Sequence, residues 1–173
     1  MLSAVLLAYD SPQSGPRRRD AIARSLSSLV DACVRGVVAD AVLAGPPDEA
    51  LAALADEAGC ALVEAATAAE GLRQALALVR RPHVLLLRAG YAVERGFCEE
   101  IEDVFTYGGG AEQALVLRAA PASLLTRLAP SLAEPVGLVA PKRAVAAAGA
   151  TNLRALARRL GAAGLTAQAR RTA

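Results

Sequence analysis

Arginines and scattered acids, not paired carboxylates, close the apolar runs of this chain. The first run ends in "AYDSPQSGPRRRD". Asp10 and Ser11 are placed there to accept hydrogen bonds from a base or ribose. Arg17, Arg18 and Arg19 follow at a helix start, where arginine side chains and backbone N–H groups favour a diphosphate. The competing reading is a turn shaped by Asp10 and Ser11 with solvated arginines beside it. A second run ends in "LAGPPDE", where Asp48 or Glu49 either reaches a ribose or caps the next helix. Capping is the commoner role of an acid at that position. Arg73 lies on the helix ahead of the central apolar run and is a candidate to face the same cleft.

The central run, "VLLLRAG", closes with Arg88, Ala89 and Gly90. A guanidinium there can hold a phosphate directly, where other proteins use a bridging metal. It can equally pair with Glu94 or Glu99. Glu99, Glu100, Glu102 and Asp103 are dense in sequence, but a helix spreads them around its outer side, so they read as a solvated face and not as metal ligands. His83 is the only histidine and stands at a strand start, which is usually a structural place. With one histidine, neither a Ser/His/Asp nor a Cys/His triad can be assembled. Neither GxGxxG nor GxxxxGK[ST] is present, so dinucleotide and P-loop sites lack their motifs.

These residues need a scaffold, and the chain alternates between strand and helix patterns. "LSAVLLAY" reads as a buried strand, and "RRRDAIARSLSSLVDACV" as one helix with Ile22, Leu26, Leu29, Val30 and Cys33 inward. "VVADAVLAG" is a strand, and "DEALAALADEAG" a helix ending at Gly59. "CALVEA", "PHVLLLR", "QALVLRA" and "PVGLVA" supply further strands. "AAEGLRQALALVR", "ERGFCEEIEDVFTY", "PASLLTRLAP" and "TNLRALARRLGAAG" supply helices, the last with Thr151 or Asn152 as its cap. The expected fold is three-layered α/β, with a mainly parallel sheet and helices on both faces. Residues 1–164 form one domain in this reading, and 165–173 a flexible basic tail. Ligands of such sheets bind at the carboxyl ends of the strands, where the residues above lie.

Composition narrows the function classes. The chain has 173 residues, enough for one domain with a full core, and 54% of them are hydrophobic. Aromatic residues make up 3% and Trp is absent, which argues against a base-stacking nucleic-acid surface. No apolar run is long enough for a membrane span, and the opening "MLSAVLLAYD" reads as a strand and not a signal peptide. Cys33, Cys60 and Cys98 have no zinc or disulfide spacing, so a reducing cytoplasm is the expected home. Net charge is +2, yet no acid follows Glu134 while Lys142, Arg143, Arg154, Arg158, Arg159, Arg170 and Arg171 do. This basic end, with the last helix, is either a solvated face or a surface for a membrane or protein partner.

The order of elements resembles a known family. "MLSAVLLAYD", "VVADAVLAGPPDEALAALADEAGCALVEA", "GLRQALALVRRPHVLLLRAGYAVERGF" and "GLVAPKRAVAAAGAT" together look like a short bacterial family 2 glycosyltransferase-like protein of the GT-A fold. The resemblance covers most of the chain, to about residue 160, and rests on layout and apolar rhythm. It implies a nucleotide-sugar partner and an acidic Asp-x-Asp motif at the end of the central strand. The carboxylates of that motif hold Mg²⁺ or Mn²⁺ in the family. Here those positions are Arg88 and Gly90. The family's nucleotide-binding Asp near the second strand end is replaced within Ala44, Gly45, Pro46 and Pro47. The general base that follows the late glycine turn is replaced within "ATNLRALARRLG". Of the family's usual carboxylates, only Asp10 has a counterpart. A divalent metal is thus implied by the family while its ligands are absent from the matching positions. Two functions follow: a transferase working without the usual metal site, or an inactive binding or scaffold protein on the same fold. A wholly parallel, flavodoxin-like strand order would argue against both.

Overall fold

The computed structural model describes residues 1–9, 15–107, 112–149 and 152–172. Eight strands form one sheet: β1 (Leu2–Leu7), β2 (Val38–Gly45), β3 (Ala61–Glu64), β4 (His83–Arg88), β5 (Tyr91–Val93), β6 (Leu115–Ala119), β7 (Pro135–Pro141) and β8 (Ala163–Arg171). Eight helices accompany them among the described residues: α1 (Pro16–Ser27), α2 (Val30–Val34), α3 (Glu49–Ala58), α4 (Ala68–Leu78), α5 (Phe97–Tyr107), α6 (Leu124–Leu128), α7 (Lys142–Ala148) and α8 (Leu153–Arg159). A 3-10 turn spans Pro130–Leu132.

The strand order is β3-β2-β1-β4-β7-β6-β8-β5. The first four run parallel, β7 is antiparallel to both β4 and β6, β6 and β8 are parallel, and β5 runs against β8. The sheet is therefore α/β and mixed, which excludes a wholly parallel, flavodoxin-like order. β1 and β4 read as unbroken apolar runs because both of their faces are covered. Val5 lies between Val42 and Leu86 in register, and all three are buried.

Two cores follow from the alternation of side chains along each strand. On one face, Leu2, Leu6, Leu85, Leu87 and Leu117 pack with Ile22 of α1, Leu51 of α3, and Phe97 and Ile101 of α5. On the other, Val5, Val42, Leu86 and Leu138 pack with Leu72 and Leu76 of α4, Val145 of α7, and Leu153 and Leu156 of α8. Truncating a fully buried side chain such as Phe97 to Ala costs about 3–5 kcal/mol.

Three expectations change. The helix expected through residue 34 breaks at Ser28 and Leu29. Ser28 Oγ donates to the Ser25 carbonyl (2.7 Å) and accepts from the Val93 amide (3.1 Å), so it serves the turn and not the helix. The break rotates the next segment: Ala32 is buried, while Val30 and Cys33 are exposed. The last helix ends at Arg159, and the segment read as a flexible basic tail is β8, stitched between β6 and β5. Its alternation is weak because only Leu165 and Ala169 are fully buried. Finally, "YAV" in the loop after β4 pairs with β8 as β5. Among the described residues, no helix is long and apolar enough to cross a membrane.

Candidate functional site

A cavity of about 390 Å³ opens at the carboxyl ends of β1 and β4, on the face that carries α4 and α8. Its lining includes Tyr9, Ala68, Arg88, Glu134, Asn152 and Arg154. Each arrives for a local reason. Tyr9 follows β1 two residues after Leu7 and points to the same face. Its hydroxyl donates to the Gly45 carbonyl (3.3 Å), and burial pushes its phenol up, with Glu70 adding to the rise. The ring lies against Gly71: a Cβ there would sit 1.9 Å from the hydroxyl, so a side chain at that position would displace the Tyr9 ring. Thr67 caps α4 by accepting from the Glu70 amide (3.3 Å), which sets Ala68 at the cavity wall.

Arg88 is the last residue of β4 and shares the face of Val84 and Leu86. Its side chain is 22% exposed and ion-paired with Glu134, which is 52% exposed. The pairing follows from register: β7 runs antiparallel to β4, with Gly137 beside Leu87, so the residues just before β7 fall next to the end of β4. The guanidinium also stacks over Tyr91 at 5.4 Å. Its Nε is buried without a hydrogen-bond partner. α8 supplies the opposite wall. Asn152 accepts from the Ala155 amide (2.7 Å) as its cap, Leu153 and Leu156 anchor it in the core, and Arg154 is left exposed at the cavity.

The other sequence-derived candidates lie elsewhere or are already engaged. Asp10 and Ser11 lie outside the described residues. Arg17 is exposed on the first turn of α1 and is not part of the cavity wall. Asp48 is the N-cap of α3, accepting from the Ala50 amide (2.9 Å) and from Arg18 Nη1 (2.7 Å). Arg18 Nη2 also donates to the Ala8 carbonyl (2.9 Å), so this corner is closed by its own hydrogen bonds. Arg73 does not face the cleft: it lines a hollow between α4 and α7 and pairs with Glu70 one helical turn away. That pairing, with Gln74 next in effect, holds the Glu70 carboxyl below the usual range. Gly90 is a turn residue with φ +89°, its amide donating to Ser25 Oγ (3.0 Å) and its carbonyl accepting from Thr172 (2.9 Å). Only Gly occupies that φ at little cost, which explains its place after β4. His83 packs edge-on against Phe105, ring centres 5.0 Å apart. Arg88 pairs with neither Glu94 nor Glu99: Glu94 serves Arg170, and Glu99 serves Arg35.

Tyr9 stands at the strand end where the sequence points to a ligand site, whereas Glu134 and Arg154 emerge as cavity residues that sequence reasoning did not single out as such. Glu134 is found only once β7 is known to run against β4. Arg154 is found only once α8 is known to fold back on that face.

Among the described residues, this donor set does not suit the metal that the resemblance implies. A guanidinium has no lone pair to give a cation, Gly90 has no side chain, and Glu134 is already held by Arg88. Among the described residues, no group of three or more His, Cys, Asp or Glu is arranged to hold a metal ion.

No family model matches the chain, and no curated protein sequence does. Solved structures match over nearly its whole length. Glucosyl-3-phosphoglycerate synthase from Mycobacterium tuberculosis, in complex with Mn²⁺, UDP-glucose and phosphoglyceric acid, superposes with a TM-score of 0.64 at 18% identity, over 95% of this chain and 68% of that one. The same enzyme with phosphoglyceric acid alone gives 0.63 at 17% identity, over 95% and 68%. A further mycobacterial protein gives 0.61 at 18% identity, over 99% and 64%. The chain thus spans about two thirds of the length of these neighbours. Its fold is the GT-A-like α/β fold that they carry.

Proposed function

We propose that the cavity at the ends of β1 and β4 binds a nucleotide sugar and that Arg88, not a metal, meets its diphosphate. The observation that carries this reading is the position of Arg88 inside the cavity with a counter-ion that is easily displaced. A half-exposed ion pair contributes about 0–1 kcal/mol. A charge-assisted bond to a phosphate is about twice as strong as a neutral one and can use the flat guanidinium fork bidentately. A diphosphate therefore competes well with Glu134. Arg154 on the opposite wall gives the described lining two cations against one acid. The structural neighbours whose ligands include UDP-glucose or UDP support a uridine nucleotide as the first to test.

Sugar transfer is the stronger form of this proposal. In it, Arg88 offsets charge building on the leaving diphosphate, the role of a preorganised cation in a partly water-excluded site. A base for the acceptor hydroxyl is the missing part, since the start of α8 brings Asn152, Leu153 and Arg154 and no acid. That substitution favours the second reading, a binding or scaffold protein that holds the nucleotide sugar without transferring it.

Thermal shift with UDP, GDP and their sugars, each with Mn²⁺ or with EDTA, separates the readings. A ligand at about 100 times its Kd stabilises the protein by about 2.7 kcal/mol, a visible shift. A shift retained in EDTA supports Arg88 as the diphosphate cation, and release of free sugar or UDP over time marks transfer to water or an added acceptor. No shift with any nucleotide would overturn the proposal.

A further inference from the structure

The segment between β6 and β7 carries a surface that nucleotide binding does not use. Leu124 and Leu128 lie one turn apart on α6, and Leu132 follows in the 3-10 turn; they are 74%, 85% and 65% exposed. Leucines so open to water, spaced four residues apart, form an unpartnered apolar stripe. Its base is firmly tied. The Ala119 amide donates to the Glu134 carbonyl (2.9 Å), the Ala120 amide to the Ala169 carbonyl (2.8 Å), and Arg118 Nη1 to the Ala133 carbonyl (2.8 Å).

Cations outnumber acids at the foot of this segment, where Glu134 is held by Arg88 and Glu94 by Arg170. Arg127 is exposed on α6 itself. The Ala120–Ala169 bond sets the end of β8, with exposed Arg170 and Arg171, beside the root of the segment. Arg154 lines the cavity with Glu134, two residues past Leu132. From residue 114 onward the only acid is Glu134, and Arg88 holds it. Arg170 shares its charge with Glu94, while among the described residues no acid pairs with Arg127 or Arg171.

We propose that this segment docks the protein on an anionic phospholipid surface, with Leu124, Leu128 and Leu132 entering the headgroup boundary and Arg127 and Arg171 meeting lipid phosphates. Three leucines alone attach weakly and reversibly, so attachment requires the charge as well and depends on lipid composition. Because the segment runs straight into Glu134 and Pro135, docking would set the cavity mouth near the membrane plane.

Vesicle co-sedimentation at low salt tests this, using phosphatidylcholine with and without phosphatidylglycerol. The wild-type chain should sediment with the anionic vesicles and much less with the neutral ones. Leu124→Ser, Leu128→Ser and Leu132→Ser combined should lower the partition at least about tenfold, and Arg127→Glu by about fivefold or more, on the order of one cation's contribution. These side chains are exposed, so the thermal midpoint should stay put; Leu128→Ser alone is the milder check should the triple variant fold poorly. Failure to sediment with phosphatidylglycerol vesicles would overturn the inference, as would equal sedimentation of wild type and triple variant. A wild-type dimer that the triple variant dissolves, without vesicle binding, would assign the stripe to a second copy instead. None of these results depends on nucleotide binding.

Discussion

Arg18 and Arg88 stand near the ends of neighbouring strands and do opposite things. Arg18 spends its guanidinium on Asp48 and on the Ala8 carbonyl and is 19% exposed. It closes the corner between β1 and α3, and little of it remains for a ligand. Arg88 has similar exposure, 22%, yet its one ion-pair partner among the described residues is the half-exposed Glu134 carboxylate, and its Nε is buried without a hydrogen-bond partner. Two arginines equal in type and burial thus differ in availability, and availability is set by what the second strand neighbour brings. The parallel neighbour β2 leads into a helix cap, Asp48, that is fixed from two sides. The antiparallel neighbour β7 is preceded by Glu134, whose carboxylate, among the described residues, is held by Arg88 alone.

The sharpest way to break this contrast is to remove each arginine in turn. Arg88→Ala should weaken UDP binding by about 10- to 100-fold, the loss of one charge-assisted bond of about 1.5–3 kcal/mol, while leaving the melting midpoint nearly unchanged. Calorimetric titration and a thermal melt on the same sample read both. Arg18→Ala should do the reverse: a stability loss of about 1–2 kcal/mol from the orphaned Ala8 carbonyl and weakened cap, with UDP affinity held within about threefold when measured well below the melt. If Arg18→Ala abolishes binding and leaves stability intact, the two roles are exchanged.

Smaller effects sharpen the comparison. Glu134→Gln keeps the shape of the side chain and removes its charge, so UDP should bind up to about fivefold more tightly, because the ligand no longer displaces an ion pair of about 0–1 kcal/mol. Weaker binding in this variant would mean that Glu134 contacts the ligand itself. Arg73→Ala should change stability by no more than about 0.5 kcal/mol and UDP affinity not at all, since it breaks only an exposed pair within α4.

The legible part of this molecule was the part built from local rules. Asp48 and Gly59 mark the two ends of α3 through capping chemistry, and the runs at β1, β2 and β4 show their burial in unbroken apolar stretches. Arg88 stood out because a charge at the end of such a run is visible without any neighbour. What escaped depends on pairing across the sheet. Nothing in "GLTAQARR" declares a strand until β6 and β5 are known to flank it. Glu134 looks like one more loop acid until the antiparallel register of β7 delivers it to Arg88. Arg73 misleads for a related reason: helix periodicity says which residues share a face, but not which of two flanks that face meets. α4 turns Arg73 toward α7 and Ala68 toward the cavity.

Titration of UDP into the wild-type chain and into Arg88→Ala, both in EDTA, tests the central claim most directly. Saturable binding to the wild type, lost or weakened at least about tenfold in the variant, is the expected result. Binding that appears only with Mn²⁺, or that Arg88→Ala leaves unchanged, would contradict it and place the diphosphate on other residues.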